Sequence, residues 1–295
     1  MKKELLTIIK TYYDFNCIED IKRIKKDYPH ILELNTNNGN FILKIISKLY
    51  CESVDMLYNY LSSLDNVLIP EKTINNKYSI NINDKTIIIY KKILEIKEDL
   101  SPIWWANNLE KIHNLSIDKK FFQNYELLLC EETITLFNLA ASYFNDNIKK
   151  KLVKLLECYD YKYISDEVVL CHSDPNNSNV MIDGLKYKFI DTDGIRLLPK
   201  EFDIQRLFQN EIISGKSIDE ILNYWNSFYS NYHNNIDIKL LKRLYVYDLV
   251  RVYSWLTLVS NDIKRVDRER QTKQLNLYQE SILEDKHEKV LKIIK

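Results

Sequence analysis

The residues best suited to chemistry lie in Cys171-His172-Ser173-Asp174-Pro175-Asn176-Asn177-Ser178-Asn179 and again in Phe189-Ile190-Asp191-Thr192-Asp193. Asp174 is a carboxylate able to take a proton from an attacking hydroxyl. Asn179 offers a carbonyl oxygen and Asp191 a full negative charge, the hard oxygen donors that Mg2+ prefers. A base close to two such ligands is the equipment of phosphoryl transfer, where positioning and charge neutralisation supply most of the acceleration. An Asx-rich turn would use the same residue types, because Asp, Asn, Pro and Ser all favour turns. An EF-hand calcium loop is set aside: starting at Asp174, it would need Gly where Asn179 stands and Glu where Leu185 stands. His172 reads as a residue that orders the loop rather than as a base. Asp193 reads as a second metal-facing carboxylate, as an outer group, or as a turn residue beside Gly194.

These residues need a frame. Val168-Val169-Leu170, Val180-Met181-Ile182 and the run from 187 to 190 are short, apolar and bounded by turn formers, so they read as buried strands. That arrangement predicts His172, Asp174, Asn179 and Asp191 at one end of a small sheet. Upstream, residues 2 to 14 carry a helical apolar stripe, and 30 to 36 and 41 to 46 read as strands. Asn37-Asn38-Gly39-Asn40 joins them as a hairpin turn. A helix over 52 to 64 and strands over 67 to 73, 78 to 82 and 86 to 90 follow, giving a mainly antiparallel sheet with one inserted helix. Apolar alternation stops between 91 and 101. Beyond it, helices are predicted over 105–113, 125–143, 148–158, 203–213, 218–229, 238–261 and 265–294. Asp203 reads as a helix N-cap, and His113 as a packed residue at a helix end. Trp104-Trp105 reads as core, with a pocket cover as the other use.

Composition removes several classes. The chain has 295 residues, 45% of them hydrophobic, enough for one large domain or two modest ones. Its 42 basic and 42 acidic residues cancel, so neither a nucleic-acid nor a membrane-surface role has electrostatic support. The five cysteines (Cys17, Cys51, Cys130, Cys158, Cys171) are odd in number and scattered, which argues against a zinc site or disulfide framework. Glu4 and Lys10 interrupt any signal-peptide core, and the apolar stretch from 245 to 260 contains Asp248 and Arg251. A soluble, cytoplasmic protein is the expectation.

Lys44, in Phe41-Ile42-Leu43-Lys44, is by itself an ordinary strand lysine. If buried it needs a partner; Glu52 is the first candidate and Asp55 the alternative. A lysine oriented by a helical carboxylate can hold nucleotide phosphates.

Together these residues resemble the aminoglycoside phosphotransferase and choline-kinase-like superfamily, distant relatives of protein kinases. The resemblance rests on His172-Ser173-Asp174-Pro175-Asn176-Asn177-Ser178-Asn179 and Phe189-Ile190-Asp191-Thr192-Asp193. Asp203-Ile204, Leu109-Glu110-Lys111-Ile112-His113 and Phe41-Ile42-Leu43-Lys44 support it in order and separation over residues 25 to 210. Pro199-Lys200-Glu201-Phe202-Asp203 is similar to the corresponding segment of spectinomycin-type kinases.

The resemblance implies an α+β, bilobal protein-kinase-like fold, with a nucleotide-binding lobe over 1–91 and a helical lobe over 92–295. It implies Asp174 as base, Asn179 and Asp191 as Mg2+ ligands, and Lys44 with Glu52 as the phosphate-binding pair. ATP, with GTP as an open alternative, would meet the linker at Tyr90, Lys91 and Lys92. His172, Asp193 and Asp203 take supporting places. A cationic antibiotic is the favoured acceptor, with Glu131, Glu132 and Asp248 as candidate pocket acids. Choline, a sugar or a macrolide are the other acceptors, and a monomer or homodimer is the expected state. The sequence departs from the pattern in having no G-x-G-x-x-G, with no glycine from 22 to 28, and in placing Ser173 where glycine is usual. The missing glycines favour a non-catalytic scaffold, and the retained acids argue against one. A protein kinase is disfavoured by the short 90–104 linker and by the absence of an activation segment between Asp191 and Asp203.

Overall fold

The computed structural model describes residues 2–15, 17–24, 30–46, 52–82, 84–96, 98–123, 125–159, 167–262, 265 and 267–294. In chain order the elements are α1 (Lys2–Tyr12), β1 (Ile18–Arg23), β2 (Ile31–Thr36), β3 (Gly39–Ile46), α2 (Val54–Leu61), β4 (Ile80–Ile82), β5 (Lys85–Lys91), β6 (Leu94–Glu95), α3 (Pro102–His113), α4 (Glu126–Ala140), α5 (Asp146–Cys158), β7 (Val168–Cys171), β8 (Val180–Asp183), β9 (Lys186–Phe189), β10 (Arg196–Pro199), α6 (Glu201–Ile213), α7 (Ile218–Tyr229), α8 (Ile238–Asn261), α9 (Arg268–Leu283) and α10 (Lys286–Ile293). They form an α+β protein with two compact units. One comprises 1–99, 116–122 and 177–195, and the other 100–115, 123–176 and 196–295.

The first unit is built on an antiparallel sheet in the order β1-β2-β3-β5-β4. Alternation sets its faces. Leu34, Leu43 and Ile89 are fully buried on the side covered by Ile9 of α1 and by Tyr13 just after it, and Lys44 turns to the other side of β3. β3 opens directly after the Asn37-Asn38 turn on Gly39 at φ +118°, a conformation that favours glycine. Ser53 caps α2 by accepting from the Met56 amide at 3.2 Å, so the helix starts two residues after Glu52. The strand expected over 67–73 does not form. Only Val67 makes an isolated bridge, to Phe189, and Pro70 has no N–H to give a ladder. β1 was not predicted because Glu19, Asp20, Lys22 and Arg23 leave only Ile21 buried. The glycine-free stretch read at 22–28 falls mostly outside the described residues.

The strands around the motif do not share one sheet, contrary to expectation. β8 pairs with both β6 and β9, in the order β6-β8-β9, in the first unit, whereas β7 pairs with β10 in the second. β10, Arg-Leu-Leu-Pro, supplied the partner that sequence reading overlooked.

The second unit is mainly helical. α8 is buried along most of its length and packs against α4, α6 and α9, as suits a central helix apolar on several sides. The single helix expected over 265–294 is two, α9 and α10, broken where Asp285 takes φ +55°. Among the described residues no helix is long and apolar enough to cross a membrane.

Candidate active site

Two groups of candidate residues form, one in each unit. In the first unit, the β8–β9 register sets Val180 opposite Phe189. The ladder continues one step, with the Ile190 amide donating to the Asn179 carbonyl at 2.9 Å. Asn179 is thereby fixed beside the start of Ile190-Asp191. Asp191 takes φ +60°, a left-handed conformation that Asp tolerates better than most residues, and opens a short 3-10 turn over Thr192–Gly194. Below the turn, Thr192 Oγ1 pairs with the Tyr58 hydroxyl at 2.8 Å, and Tyr58 pairs with the hydroxyl of Tyr90. Burial pushes both phenols above their ordinary pKa, so they stay protonated and anchor the turn.

Lys44 Nζ meets Asp191 and, at 2.5 Å, Asp193. Its side chain is 15% exposed, against 49% for Asp191. Burial works to lower the Lys44 pKa, but the two carboxylates outweigh it and hold the ammonium above its ordinary value. Burial, opposed by Lys44 and reinforced by Asp191, holds Asp193 above the usual aspartate value. The pairing of Lys44 with Glu52 or Asp55 is corrected. Asp55 instead accepts from the Tyr78 amide at 2.5 Å and the Ser79 hydroxyl at 3.3 Å, and Glu52 lies ahead of the helix, its amide bonded to the Phe121 carbonyl.

The linker residues are also placed. Tyr90 is buried on β5 and its hydroxyl is engaged by Tyr58, so its side chain is part of the core. Lys91 is exposed at the end of β5. Lys92 pairs with Glu33 at 2.6 Å.

In the second unit, the loop after β7 is held from beneath. Ser173 takes φ +70°, the conformation in which glycine is usual. Asp203, fully buried, accepts the His172 amide on Oδ2 and the Ser173 amide on Oδ1, both at 2.7 Å. His113 Nε2 adds a third contact at 3.0 Å, and its Nδ1 meets the Tyr232 hydroxyl at 2.6 Å. Asp203 is therefore not an N-cap: Lys200 holds that position, and the Asp203 carboxylate ties α6 to the loop. His113 is packed at the end of α3, as expected. His113, Cys171 and Asp203 lie close enough together to suggest a metal site, but Asp203 and His113 already engage the partners above. Burial pushes the Cys171 thiol well up, and its Sγ approaches the carbonyls of Leu198 and Pro199.

Asp174 follows this fixed corner. Its side chain is 48% exposed, and Arg206 of α6 donates to its Oδ1 at 2.9 Å. Arg206 also donates to Asp248 Oδ2 at 3.1 Å. Asp248 is completely buried, with Arg251 and Gln205 as further partners. Burial favours the protonated Asp248, but Arg206 and Arg251 outweigh it and bring its pKa to about 2. Asp248 is thus unable to line an acceptor pocket. Glu132 is half-buried, receives the Tyr125 hydroxyl and lies 3.9 Å from Arg251, while Glu131 is exposed. Arg206 was not foreseen, because an arginine within an amphipathic helix carries no sequence signal of its partners.

No protein-family model matches the chain, and no curated protein matches it significantly. Solved structures do. The chain is similar to spectinomycin phosphotransferase in complex with ADP and spectinomycin, with 19% identity, TM-score 0.74, and coverage of 97% of this chain and 98% of that one. It is similar to an amicoumacin kinase in complex with AMP-PNP and Ca2+ (15%, TM-score 0.68, 96% and 93%). It is also similar to a choline kinase from Streptococcus pneumoniae (14%, TM-score 0.65, 96% and 99%). The chain has the bilobal kinase-like fold of the aminoglycoside phosphotransferases and choline kinases.

Proposed function

We propose that this protein is an ATP-dependent O-phosphotransferase whose acceptor is the hydroxyl of a small molecule. Asp174 takes the hydroxyl proton. The acceptor oxygen bonds to the γ-phosphorus as the bond from that phosphorus to the β,γ-bridging oxygen breaks, and ADP leaves. Lys44 binds phosphate oxygens, and the backbone of 90–93 with Lys91 and Lys92 borders the nucleotide base. The Tyr90 side chain, being core, takes no part. Asn179, Asp191 and Asp193 fit Mg2+, because they are oxygen donors and two of them are carboxylates converging on one ammonium. When bound, Mg2+ neutralises charge on the transferring phosphate. Lys44, oriented by Asp191 and Asp193, is the observation that carries this reading. A scaffold would have no need of a buried lysine held by two acids.

An aminoglycoside or aminocyclitol antibiotic is the proposed acceptor class, and resistance the biological role, in a cytoplasmic monomer or homodimer. The likeness to spectinomycin phosphotransferase supports this choice, and the likeness to choline kinase makes choline the second acceptor to try. The test incubates the protein with MgATP and spectinomycin, other aminoglycosides, macrolides, choline and sugars, following ADP release. ADP release that rises with one acceptor supports the proposal. Absence of nucleotide binding would favour the scaffold instead.

A further inference from the structure

The base proposed above sits in a closed ring of polar contacts within the second unit. From Asp174, the ring passes through Arg206 at 2.9 Å to Asp248 at 3.1 Å, and on to Arg251 at 2.6 Å. Arg251 approaches Glu132, and Glu132 receives the Tyr125 hydroxyl. The Arg196 guanidinium lies 4.0 Å from the centre of the Tyr125 ring and donates to Ser173 Oγ at 3.3 Å, which returns the ring to the neighbour of Asp174. Arg206 thus joins Asp174 to Asp248, Arg251 joins Asp248 to Glu132, and Arg196 completes the ring through the Tyr125 ring and Ser173.

Resting on the phosphotransfer reading, we infer that Arg206 is a positioning residue that fixes the carboxylate plane of Asp174 for the acceptor hydroxyl, and that buried Asp248 fixes Arg206. A half-exposed aspartate samples several rotamers in water, and a general base is effective only when its oxygen meets the hydroxyl at hydrogen-bond distance. The guanidinium is planar, with its donors in a rigid fork, so binding Asp174 through one amino group and Asp248 through another sets the direction of both. Lysine cannot reproduce that fork. Asp248 remains ionised because two arginines and Gln205 surround it, so the anchor stays charged across the working pH range. Neighbouring phenols do not compete as bases. Burial pushes Tyr278 up to about 12, and burial with Glu132 does the same for Tyr125.

The test measures phosphate transfer from MgATP, with the acceptor selected by the panel and with water, in wild type, Arg206→Met, Arg206→Lys, Asp174→Asn and the double variant Arg206→Met/Asp174→Asn. MgADP affinity and the unfolding midpoint are recorded for each. The inference predicts that Arg206→Met lowers kcat on the order of 10²-fold with KM for MgATP within about threefold. Arg206→Lys falls between, and Arg206→Met lowers kcat by less than about twofold once Asp174 is already Asn. If Arg206→Met does not fold, Arg206→Lys, which keeps the buried charge, carries the same comparison. Wild-type kcat in Arg206→Met, or an equal fall with and without Asp174, overturns the inference. A wild-type protein that transfers no phosphate overturns the phosphotransfer reading, and this inference with it. That failure is visible in the wild type rather than in the variants.

Discussion

At the scale of single residues, His287 illustrates how burial decides charge. Its Nδ1 meets the Tyr245 hydroxyl at 2.5 Å and its Nε2 the Ser281 hydroxyl at 2.9 Å. Burial, helped by Lys286, pushes its pKa down to about 3. Its folded value is therefore below the unfolded one, near 6.5. The neutral ring contributes its full stability above that pH, and the contribution is lost as pH falls from about 6.5 toward 3. Unfolding in urea should show a loss of about 2 kcal/mol at pH 5 from this residue. His287→Gln should lack that part of the pH dependence; an identical pH profile in the variant would contradict the assignment. Lys44 is the second residue-scale case. Lys44→Met removes an ammonium shared by Asp191 and Asp193, and transfer from MgATP should fall by about 10²-fold or more. Transfer kinetics check this directly, and a fall below about threefold would remove Lys44 from the phosphate-binding role.

At the scale of elements, the fold turns on how α6 is tied to the loop after β7. Asp203→Ala would leave the His172 and Ser173 amides, both buried, without their acceptor. Denaturant unfolding should show a loss of about 3–5 kcal/mol, from two unsatisfied N–H groups and the broken contact to His113. Asp203→Asn, which keeps one oxygen acceptor, should lose less. This tie also shows what sequence can reveal. The β2–β3 hairpin, α7 and α8 were legible because Asn-Gly and a steady apolar period are local signals. Asp203 before Ile204 satisfied the local pattern of a cap, and only the return of β10 beside β7 shows that its carboxylate faces the loop. β1 and β6 were missed because one is a charged edge strand and the other only two residues long. The pairing of Lys44 was misread for a related reason. Its partners lie about 150 residues away, at Asp191 and Asp193, and proximity in sequence pointed to Glu52. The residue types of the candidate site were legible; their partners were a property of the tertiary structure.

At the scale of the whole molecule, each compact unit holds its own ordered polar group: Lys44 with Asp191 and Asp193 in one, and Asp174 with Arg206 and Asp248 in the other. A neutral overall charge, 42 basic against 42 acidic residues, is consistent with a small-molecule acceptor rather than a polyanion. Phosphorus NMR of MgATP with the acceptor panel tests the assignment most directly, because it observes the product and not merely nucleotide loss. The proposed reaction predicts a new phosphomonoester signal together with ADP for at least one acceptor. In Asp174→Ala its rate should fall on the order of 10²–10⁴-fold while MgADP affinity is retained. Undiminished transfer in Asp174→Ala, or ADP formation with no phosphorylated acceptor anywhere in the panel, would contradict it.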